Sequence, residues 1–150
     1  MEMFGASRDQ IRPMSIEQAT HEIRALIDHP FAWAIELEGA FIGSIRLDRV
    51  DHQDRRASMA IGILNARCLG RGFGTEAIKL VLQHAFGDMR LHRIGIRVLA
   101  YNCRAIQAYQ KCGFKIEGRE REAGFVNGHW HDDVIMGLLS HEFPQAAPKQ

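Results

Sequence analysis

Two junctions between a strand-like run and a helix-like run, about thirty residues apart, constrain the fold of this chain most strongly. The first is Leu69-Gly-Arg-Gly-Phe-Gly-Thr-Glu-Ala77, and the second is Asn102-Cys-Arg-Ala-Ile-Gln-Ala-Tyr-Gln-Lys-Cys-Gly-Phe114. Each follows an apolar run and precedes a pattern of helical period. Open sheets bind ligands beyond the carboxyl ends of their strands, so the two junctions predict one shared site.

The amino-terminal part of the chain predicts one helix and then antiparallel strands. Ser15 and Gln18 resemble a capping box and precede an apolar stripe of helical period, so we expect a helix over about 15–28. Glu38-Gly39 separates two apolar runs, which is typical of a β-hairpin, and a polar turn leads to a third strand. The predicted strands cover residues 31–37, 40–47 and a stretch that ends near Ile63.

The carboxyl-terminal part predicts alternating helices and strands and a terminal hairpin. Gly113 can take the left-handed conformation that commonly ends a helix, and Asn127-Gly128 is typical of a type I′ turn. The predicted elements are a helix over about 75–86, a strand over 94–100, a helix from 102, and a hairpin over 115–126 and 129–139. We expect a loose tail over 144–150.

This order of elements predicts a single α/β domain of the α+β kind over residues 1–150. Its sheet should be mixed and mostly antiparallel, with helices on both faces. The 150 residues, 46% of them hydrophobic, suffice for one core. Lys and Arg number 19 against 18 Asp and Glu, a balance that disfavours nucleic acid and membrane surfaces as main partners. The three cysteines lack CxxC spacing and no apolar leader precedes them, so we expect a reducing, cytoplasmic setting.

The glycine loop, residues 69–74, has the composition of a pyrophosphate site. Gly70, Gly72 and Gly74 alternate, which removes the β-carbons that would keep a diphosphate from the main chain. Thr75 then begins a helix whose positive N-terminal end adds to the electric field that attracts an anion. Arg71 can supply positive charge at the rim of the loop.

Three other interpretations of the glycine loop differ in how well they fit. A tight strand-to-helix connection without a ligand remains open. A Rossmann-type dinucleotide site requires another glycine spacing and an acidic residue on the next strand, and residues 94–100 contain no acid. A Walker phosphate loop requires Gly-Lys-Ser/Thr, which does not follow here.

The second junction suits acyl transfer from a thioester. Asn102 can cap the helix, Ala105 leaves room near its start, and Lys111 is a mobile cation near its end. Tyr109 is seven residues beyond Asn102 and so lies on about the same helix face, where its phenol can protonate a departing thiolate. Tyr109 is therefore a candidate general acid. The alternative is that Tyr109 is a core aromatic residue and Asn102 only a cap.

With these residues in view, the chain resembles the GNAT superfamily of acetyl-CoA-dependent N-acetyltransferases, in the branch of ribosomal-protein N-terminal acetyltransferases. The family pattern Gln/Arg-x-x-Gly-x-Gly/Ala corresponds to Leu69, Gly72 and Gly74, with an apolar residue at its first position. The second pattern is matched at Asn102, Ala105, Tyr109, Lys111 and Gly113-Phe114.

The resemblance implies a sheet that splays into a V-shaped cleft, in which the pantetheine arm of acetyl-CoA lies. Main-chain groups near Ile61 and Ile63 would bond that arm, and an amine would attack the thioester directly, without a metal ion. The residues expected to hold acetyl-CoA are Ile61, Ile63, Leu69, Gly70, Arg71, Gly72, Gly74, Thr75, Asn102, Ala105 and Lys111. The expected catalytic residues are Tyr109 and Asn102.

The chain departs from its relatives at the general base and at the amino end. Some relatives carry Glu at one of the positions that here are Ala60 and Arg97, so the base remains open among Asp48, His52, Glu117 and water. Relatives also usually begin with an extra strand, for which about fourteen residues remain. The first strand is therefore missing or replaced by something shorter, and homodimer contacts or an altered amine pocket are expected there.

Two further motifs and one alternative function complete the sequence-based picture. His129 and His131 alternate on a strand and invite a metal site, but Trp130 packed between polar neighbours is the ordinary interpretation. Cys103 lacks a histidine placed to activate it as a nucleophile. Because carboxylates are missing at Ala60 and Arg97, a non-catalytic acyl-CoA-binding module is the alternative to an N-acetyltransferase of peptide or small-molecule amines.

Overall fold

The computed structural model describes residues 29–37, 39–63 and 73–143. The predicted helix over 15–28, the tail over 144–150 and most of the glycine loop lie outside these residues. Within them, no helix has the length and apolar character needed to span a membrane.

The described elements follow the predicted order. They are β1 (Ala32–Leu37), β2 (Ala40–Asp51), β3 (Arg56–Ile63), α1 (Phe73–Gln83) with a π-helical turn (His84–Asp88), β4 (Arg93–Leu99), α2 (Cys103–Lys111), β5 (Lys115–Val126), β6 (His129–Leu139) and a 3₁₀ turn (Ser140–Glu142).

The sheet is mixed and mostly antiparallel, as predicted. Its six strands lie in the order β1-β2-β3-β4-β6-β5, and only β3 and β4 are parallel neighbours. The other four neighbouring pairs are antiparallel. Among the described residues β1 is an edge strand, as expected if the usual first strand is missing. The fold class predicted from the sequence is therefore confirmed.

The turns form where the sequence predicted them. The Asp51 carboxylate accepts hydrogen bonds from the backbone N–H groups of Gln53 (2.9 Å) and Asp54 (3.0 Å), which closes the β2–β3 turn. Asn127 and Gly128 have φ values of 51° and 78°, as a type I′ turn requires. The terminal hairpin consequently has the predicted bounds.

Two boundaries differ from the prediction. Strand β2 extends to Asp51, beyond the predicted end at Leu47, because a bulge near Arg49 (φ 53°) absorbs a register shift and pairing with β3 resumes. Helix α1 starts at Phe73, ahead of the predicted Thr75, and its regular part ends at Gln83 before the π-helical turn. An apolar stripe alone does not distinguish α from π geometry.

One face of the sheet packs against the described helices, and we call it the helix face. On β4 and β6 it carries the buried residues Ile94, Ile96, Val98, Val134, Met136 and Leu138. Both described helices lie against this face: His84 contacts Trp33 edge-on at 5.7 Å between ring centroids, and a Cβ built on Gly113 would lie 3.2 Å from Leu138 Cδ1. The predicted helix over 15–28 lies outside the described residues.

The opposite side of β4 and β6, the arginine face, is polar. Arg93 donates to Glu117 (Nη1 to Oε2, 2.8 Å) and Arg97 donates to Glu120 (Nη1 to Oε1, 2.9 Å). A Cβ built on Gly137 would lie 2.5 Å from Glu117 Oε2. Glycine at this position therefore lets the Glu117 carboxylate lie over the strand.

Candidate active site

Strands β3 and β4 separate to form an opening in the sheet. They pair only where Arg56–Ser58 lie beside Arg93–Gly95, whereas β3 continues to Ile63 and β4 continues to Leu99. Beyond the paired end, the facing edges of 59–63 and 96–99 are free of each other, so an extended ligand can bond to them as an added strand would. This opening is the V-shaped cleft expected from the sequence.

Ile61 and Ile63 both lie on the β3 side of the opening. The Ile61 side chain is buried in the core, so only its backbone can contact a ligand in the opening. Ile63 ends β3, and its backbone pairs with Gly43 of β2. Their role in holding pantetheine remains a prediction.

The first turn of α1 is the described part of the glycine-loop motif. Leu69, Gly70, Arg71 and Gly72 lie outside the described residues, while Gly74 and Thr75 lie in that first turn. The first backbone N–H groups of a helix have no partners within the helix and favour an anion there.

A buried thiol connects the two motifs. Cys112 Sγ lies 3.9 Å from the carbonyl oxygen of Thr75, so the end of α2 contacts the first turn of α1. Burial raises the pKa of the Cys112 thiol to about 11, which keeps it protonated at neutral pH. Sequence reasoning did not single out this residue, although its spacing of three from Tyr109 indicated a shared helix face.

Asn102 is the N-cap of α2. Its side-chain oxygen accepts a hydrogen bond from the Ala105 N–H at 3.0 Å, and its own N–H donates to the Leu99 carbonyl at 2.9 Å. The cap fixes where β4 ends and α2 begins. Any contact of Asn102 with acetyl-CoA, and its role in catalysis, remain predictions.

Substituting Asn102 separates its capping role from a role in the reaction. We expect Asn102→Ala to lower the free energy of unfolding by about 1 kcal/mol, and Asn102→Ser to keep most of that stability because serine also caps helices. If the amide also contacts acetyl-CoA, N102S will still lose turnover. Thermal unfolding and steady-state kinetics check this, and an N102S protein equal to wild type in both would reduce Asn102 to a cap.

Tyr109 is buried within the second motif. Its side chain is 4% exposed, and its ring packs edge-on to Phe114 at 5.9 Å between centroids. Burial raises the pKa of Tyr109 above its ordinary value, with a smaller contribution from the Cys112 thiol. The phenol therefore keeps its proton at neutral pH and well into the alkaline range.

The other two predicted residues of α2 lie in different environments. Ala105 is fully buried in the first turn, where no larger side chain would fit without repacking the core. Lys111 is exposed in the last turn, where its charge complements the helix dipole.

The structure separates the three candidate bases by position and by partner. His52 lies in the turn before β3, and Glu117 pairs with Arg93, so both are at the paired end of β3 and β4. Asp48 lies opposite Ser58, where the opening begins, but bonds to His29 (2.8 Å) and Arg46 (3.0 Å). Burial raises the pKa of the Asp48 carboxyl, but hydrogen bonds with His29 and Arg46 hold it below its usual value. The hydrogen bond from Arg93 holds the pKa of the Glu117 carboxyl below its usual value despite partial burial. Both carboxylates are therefore paired and only weakly basic, so neither suits the role of general base.

The prediction that Trp130 is packed is wrong. Trp130 is 59% exposed, and among the ring pairs of the described chain its ring contacts only Phe125, at 4.8 Å between centroids. Both lie at the tip of the terminal hairpin, beyond the last β4–β6 pair at Asp133, where neither described helix reaches them. Within 29–37, 39–63 and 73–143, no three His, Cys, Asp or Glu residues are grouped to hold a metal ion. Cys103 is an exposed free thiol.

Comparison with known families gives one match over most of the chain. The family model for the acetyltransferase (GNAT) domain matches residues 2–115. Spermidine N(1)-acetyltransferase of Escherichia coli K12 is 30% identical over 111 residues, which are 74% of this chain and 59% of that protein. YdaF of Bacillus subtilis, whose name carries a provisional ribosomal N-acetyltransferase assignment, is 30% identical over 71% of this chain and 57% of its own length. The matched part of the chain thus spans less than two thirds of these curated relatives.

Solved structures agree in fold. The crystal structure of spermidine N-acetyltransferase from Vibrio cholerae in complex with CoA and spermine superposes with a TM-score of 0.72 at 26% identity, covering 86% of this chain and 78% of the other. A dodecameric structure of the same enzyme in an intermediate state gives 0.70 at 26% identity, covering 83% and 74%.

Proposed function

The chain belongs to the GNAT acetyltransferase family, and from this premise we propose that it transfers an acetyl group from acetyl-CoA to a primary amine. The observation that carries the proposal is the opening between β3 and β4, flanked by the first turn of α1 and by buried Tyr109 on α2. An opening of this kind suits a long, extended donor with a reactive thioester at its end.

In this proposal each motif binds one part of acetyl-CoA. The glycine loop with Gly74, Thr75 and the N-terminus of α1 holds the pyrophosphate, because backbone N–H groups and the helix dipole favour a doubly charged anion. The β3 edge at Ile61 and Ile63 bonds the pantetheine amides. Asn102 and Ala105 lie beside the thioester end of acetyl-CoA, and the exposed Lys111 ammonium group places a positive charge near acetyl-CoA.

The reaction proceeds by direct attack of the amine on the thioester carbonyl. The helix face is occupied by α1 and α2 and carries Tyr109, so the amine approaches from the arginine face. Holding both reactants in the opening supplies much of the rate. Tyr109 then gives its proton to the departing sulfur.

A thiol-release assay tests the proposed function. We expect acetyl-CoA to bind with a measurable Kd by calorimetry, and free CoA thiol to appear with at least one amine from a panel of spermidine, spermine, amino acids and peptides with free N-termini. The panel reflects the relatives, which are named for spermidine and for ribosomal substrates. Acetyl-CoA binding without thiol release for any amine would favour the non-catalytic acyl-CoA-binding module, and no binding would refute both.

We also propose that the protein assembles as a homodimer or larger oligomer in a reducing cytoplasm. Strand β1 is an edge among the described strands, and exposed edges in native proteins are usually covered. The dodecameric form of the Vibrio cholerae relative supports assembly in the family. Light scattering that finds a strict monomer would contradict this part of the proposal.

A further inference from the structure

Asp133 lies at the open end of the cleft. It is the β6 partner of Leu99, the last residue of β4, and alternation along β6 places its side chain on the arginine face. Antiparallel partners lie about 5 Å apart, so Asp133 is one strand away from the β4 edge that lines the opening. At this level the parallel register of β3 and β4 would bring Gly62 opposite Leu99.

The Asp133 carboxylate is partly exposed on the arginine face. The side chain is 17% exposed. A Cβ built on Gly124 would lie 2.8 Å from Leu99 Cδ2 and 3.7 Å from Asp133 Oδ1, so a larger residue at 124 would displace the Leu99 side chain that lies near this carboxylate. Two residues away on β6, the His131 ring packs edge-on to Tyr101 at 4.7 Å between ring centroids.

Asp133 differs from the neighbouring carboxylates in its hydrogen bonding. The carboxylates of Asp48, Glu117, Glu120 and Asp132 accept hydrogen bonds from Arg46, Arg93, Arg97 and Arg119, respectively. Among the described residues, the nearest cation to Asp133 is Arg97, whose Nη1 lies 3.7 Å from Oδ2, beyond hydrogen-bond length. Asp133 therefore has acceptor capacity that its neighbours have already used.

The charges around Asp133 make it the more basic carboxylate. Arg97 faces it from β4, Glu120 from β5 and His131 from its own strand, while Asp132 is adjacent in the chain. Burial raises the pKa of Asp133 above its usual value; Arg97 opposes this rise, and Glu120 and Asp132 add to it. Asp48 and Glu117 shift in the other direction.

We propose that Asp133 binds the ammonium group of the acceptor at the open end of the cleft and takes its proton before attack on the thioester. The inference rests on the proposed function and assigns the base that the sequence left open. Asp133 lies on the face from which the amine approaches, and Tyr109 lies on the opposite face beside the leaving sulfur.

The protons balance over the reaction. The ammonium gives one proton to the Asp133 carboxylate, and the freed lone pair forms the N–C bond to the carbonyl carbon. The C–S bond breaks as sulfur takes the Tyr109 proton. The nitrogen loses its second proton to water, which reprotonates Tyr109, and Asp133 releases its proton to solvent. The sum is ammonium plus acetyl-CoA giving amide, CoA thiol and one proton.

The test is Asp133→Asn, assayed with spermidine or with the best amine from the thiol-release panel. At pH 7 we expect kcat/KM for the amine to fall about 100-fold, the lower end of general-base effects because water can substitute in part. The acetyl-CoA Kd should not change. By pH 10 the wild-type to variant ratio should shrink to about fivefold, because most aliphatic amines are then substantially deprotonated without help.

Two variants and three outcomes make the test decisive. D133E should recover part of the activity, and D54N, in the exposed β2–β3 turn, should match wild type; thermal unfolding checks that each protein is folded. If the loss of kcat/KM in D133N stays constant from pH 7 to 10, Asp133 has a structural role and the inference is overturned. Full activity of D133N also overturns the inference. Wild-type protein that binds acetyl-CoA but acetylates no amine overturns the proposed function, and the inference with it.

Discussion

Replacing Tyr109 with Phe should lower kcat about 1,000-fold while leaving the affinity for acetyl-CoA within about twofold of wild type. The ring fills the same volume with or without its hydroxyl, so the buried contact with Phe114 is kept. The substitution removes the phenolic O–H, which is the proposed proton donor. A change confined to kcat would identify a group that acts on the reacting atoms rather than on donor binding.

The pH dependence of the wild-type enzyme adds a second observation on Tyr109. Because burial raises the pKa of this phenol, its protonated form persists as pH rises through 9 and 10. The leaving ability of the CoA sulfur is set by its thiol pKa of about 8.5 and does not itself change with pH, so an alkaline fall in kcat would require loss of the Tyr109 proton. We therefore expect no alkaline fall in kcat before pH 10.

Stopped-flow and steady-state kinetics of Y109F check this prediction, and calorimetry measures its affinity for acetyl-CoA. Thermal unfolding of the same preparation controls for damage to the core. Turnover of Y109F within twofold of wild type would contradict the general-acid role and favour the alternative in which Tyr109 is only a core aromatic residue.

Replacing Gly113 with Ala should cost about 2–3 kcal/mol of unfolding free energy and should reduce turnover as α2 is displaced. Gly113 has φ 106°, a conformation that residues with a side chain rarely adopt. A Cβ there would also lie 3.2 Å from Leu138 Cδ1 in the core. Strain and crowding therefore act together at this position.

The turn at Gly113 holds the helix that carries Tyr109. Phe114 N–H donates to the Tyr109 carbonyl (3.1 Å) and Gly113 N–H donates to the Gln110 carbonyl (3.0 Å), which is the Schellman pattern. The Tyr109 backbone is thus anchored by the turn that follows it. A shift of this turn moves the phenol, and misplacement by about 1 Å is enough to slow an enzyme strongly.

Two other glycines provide matched controls for G113A. Gly39 has φ 82° but no atom within 4 Å of a built Cβ, so G39A isolates backbone strain and should cost about 1 kcal/mol. Gly118 has open space and no positive φ, so G118A should stay within about 0.5 kcal/mol of wild type. Chemical denaturation measures all three, and equal losses for G113A and G39A would show that the contact with Leu138 contributes nothing.

Much of the fold could be predicted because the governing interactions are local. The type I′ turn at Asn127-Gly128, the Asn102 cap and the left-handed Gly113 each depend on a few adjacent residues, and each is confirmed. The family followed from the same motifs, because their spacing is local as well.

Errors arose where distant residues decide the outcome. Trp130 looked like a core residue from its apolar character, but the hairpin extends beyond the sheet and the helices and leaves it exposed. The π-helical turn after Gln83 and the bulge near Arg49 depend on packing and pairing with other elements. Neither leaves a pattern in the nearby sequence.

The sequence by itself determined the local structure on which the proposed donor site rests, since the conformations at Gly74, Thr75, Asn102 and Tyr109 are set by neighbouring residues in short motifs. Only the tertiary structure supplied the observations on which the proposed acceptor site rests. Three features depend on strands that are distant along the chain. They are the point at which β3 separates from β4, the pairing of the neighbouring carboxylates with arginines, and the position of Asp133 at the open end. Charge and burial act through space, so a proton acceptor becomes visible only when every strand that surrounds it is in place.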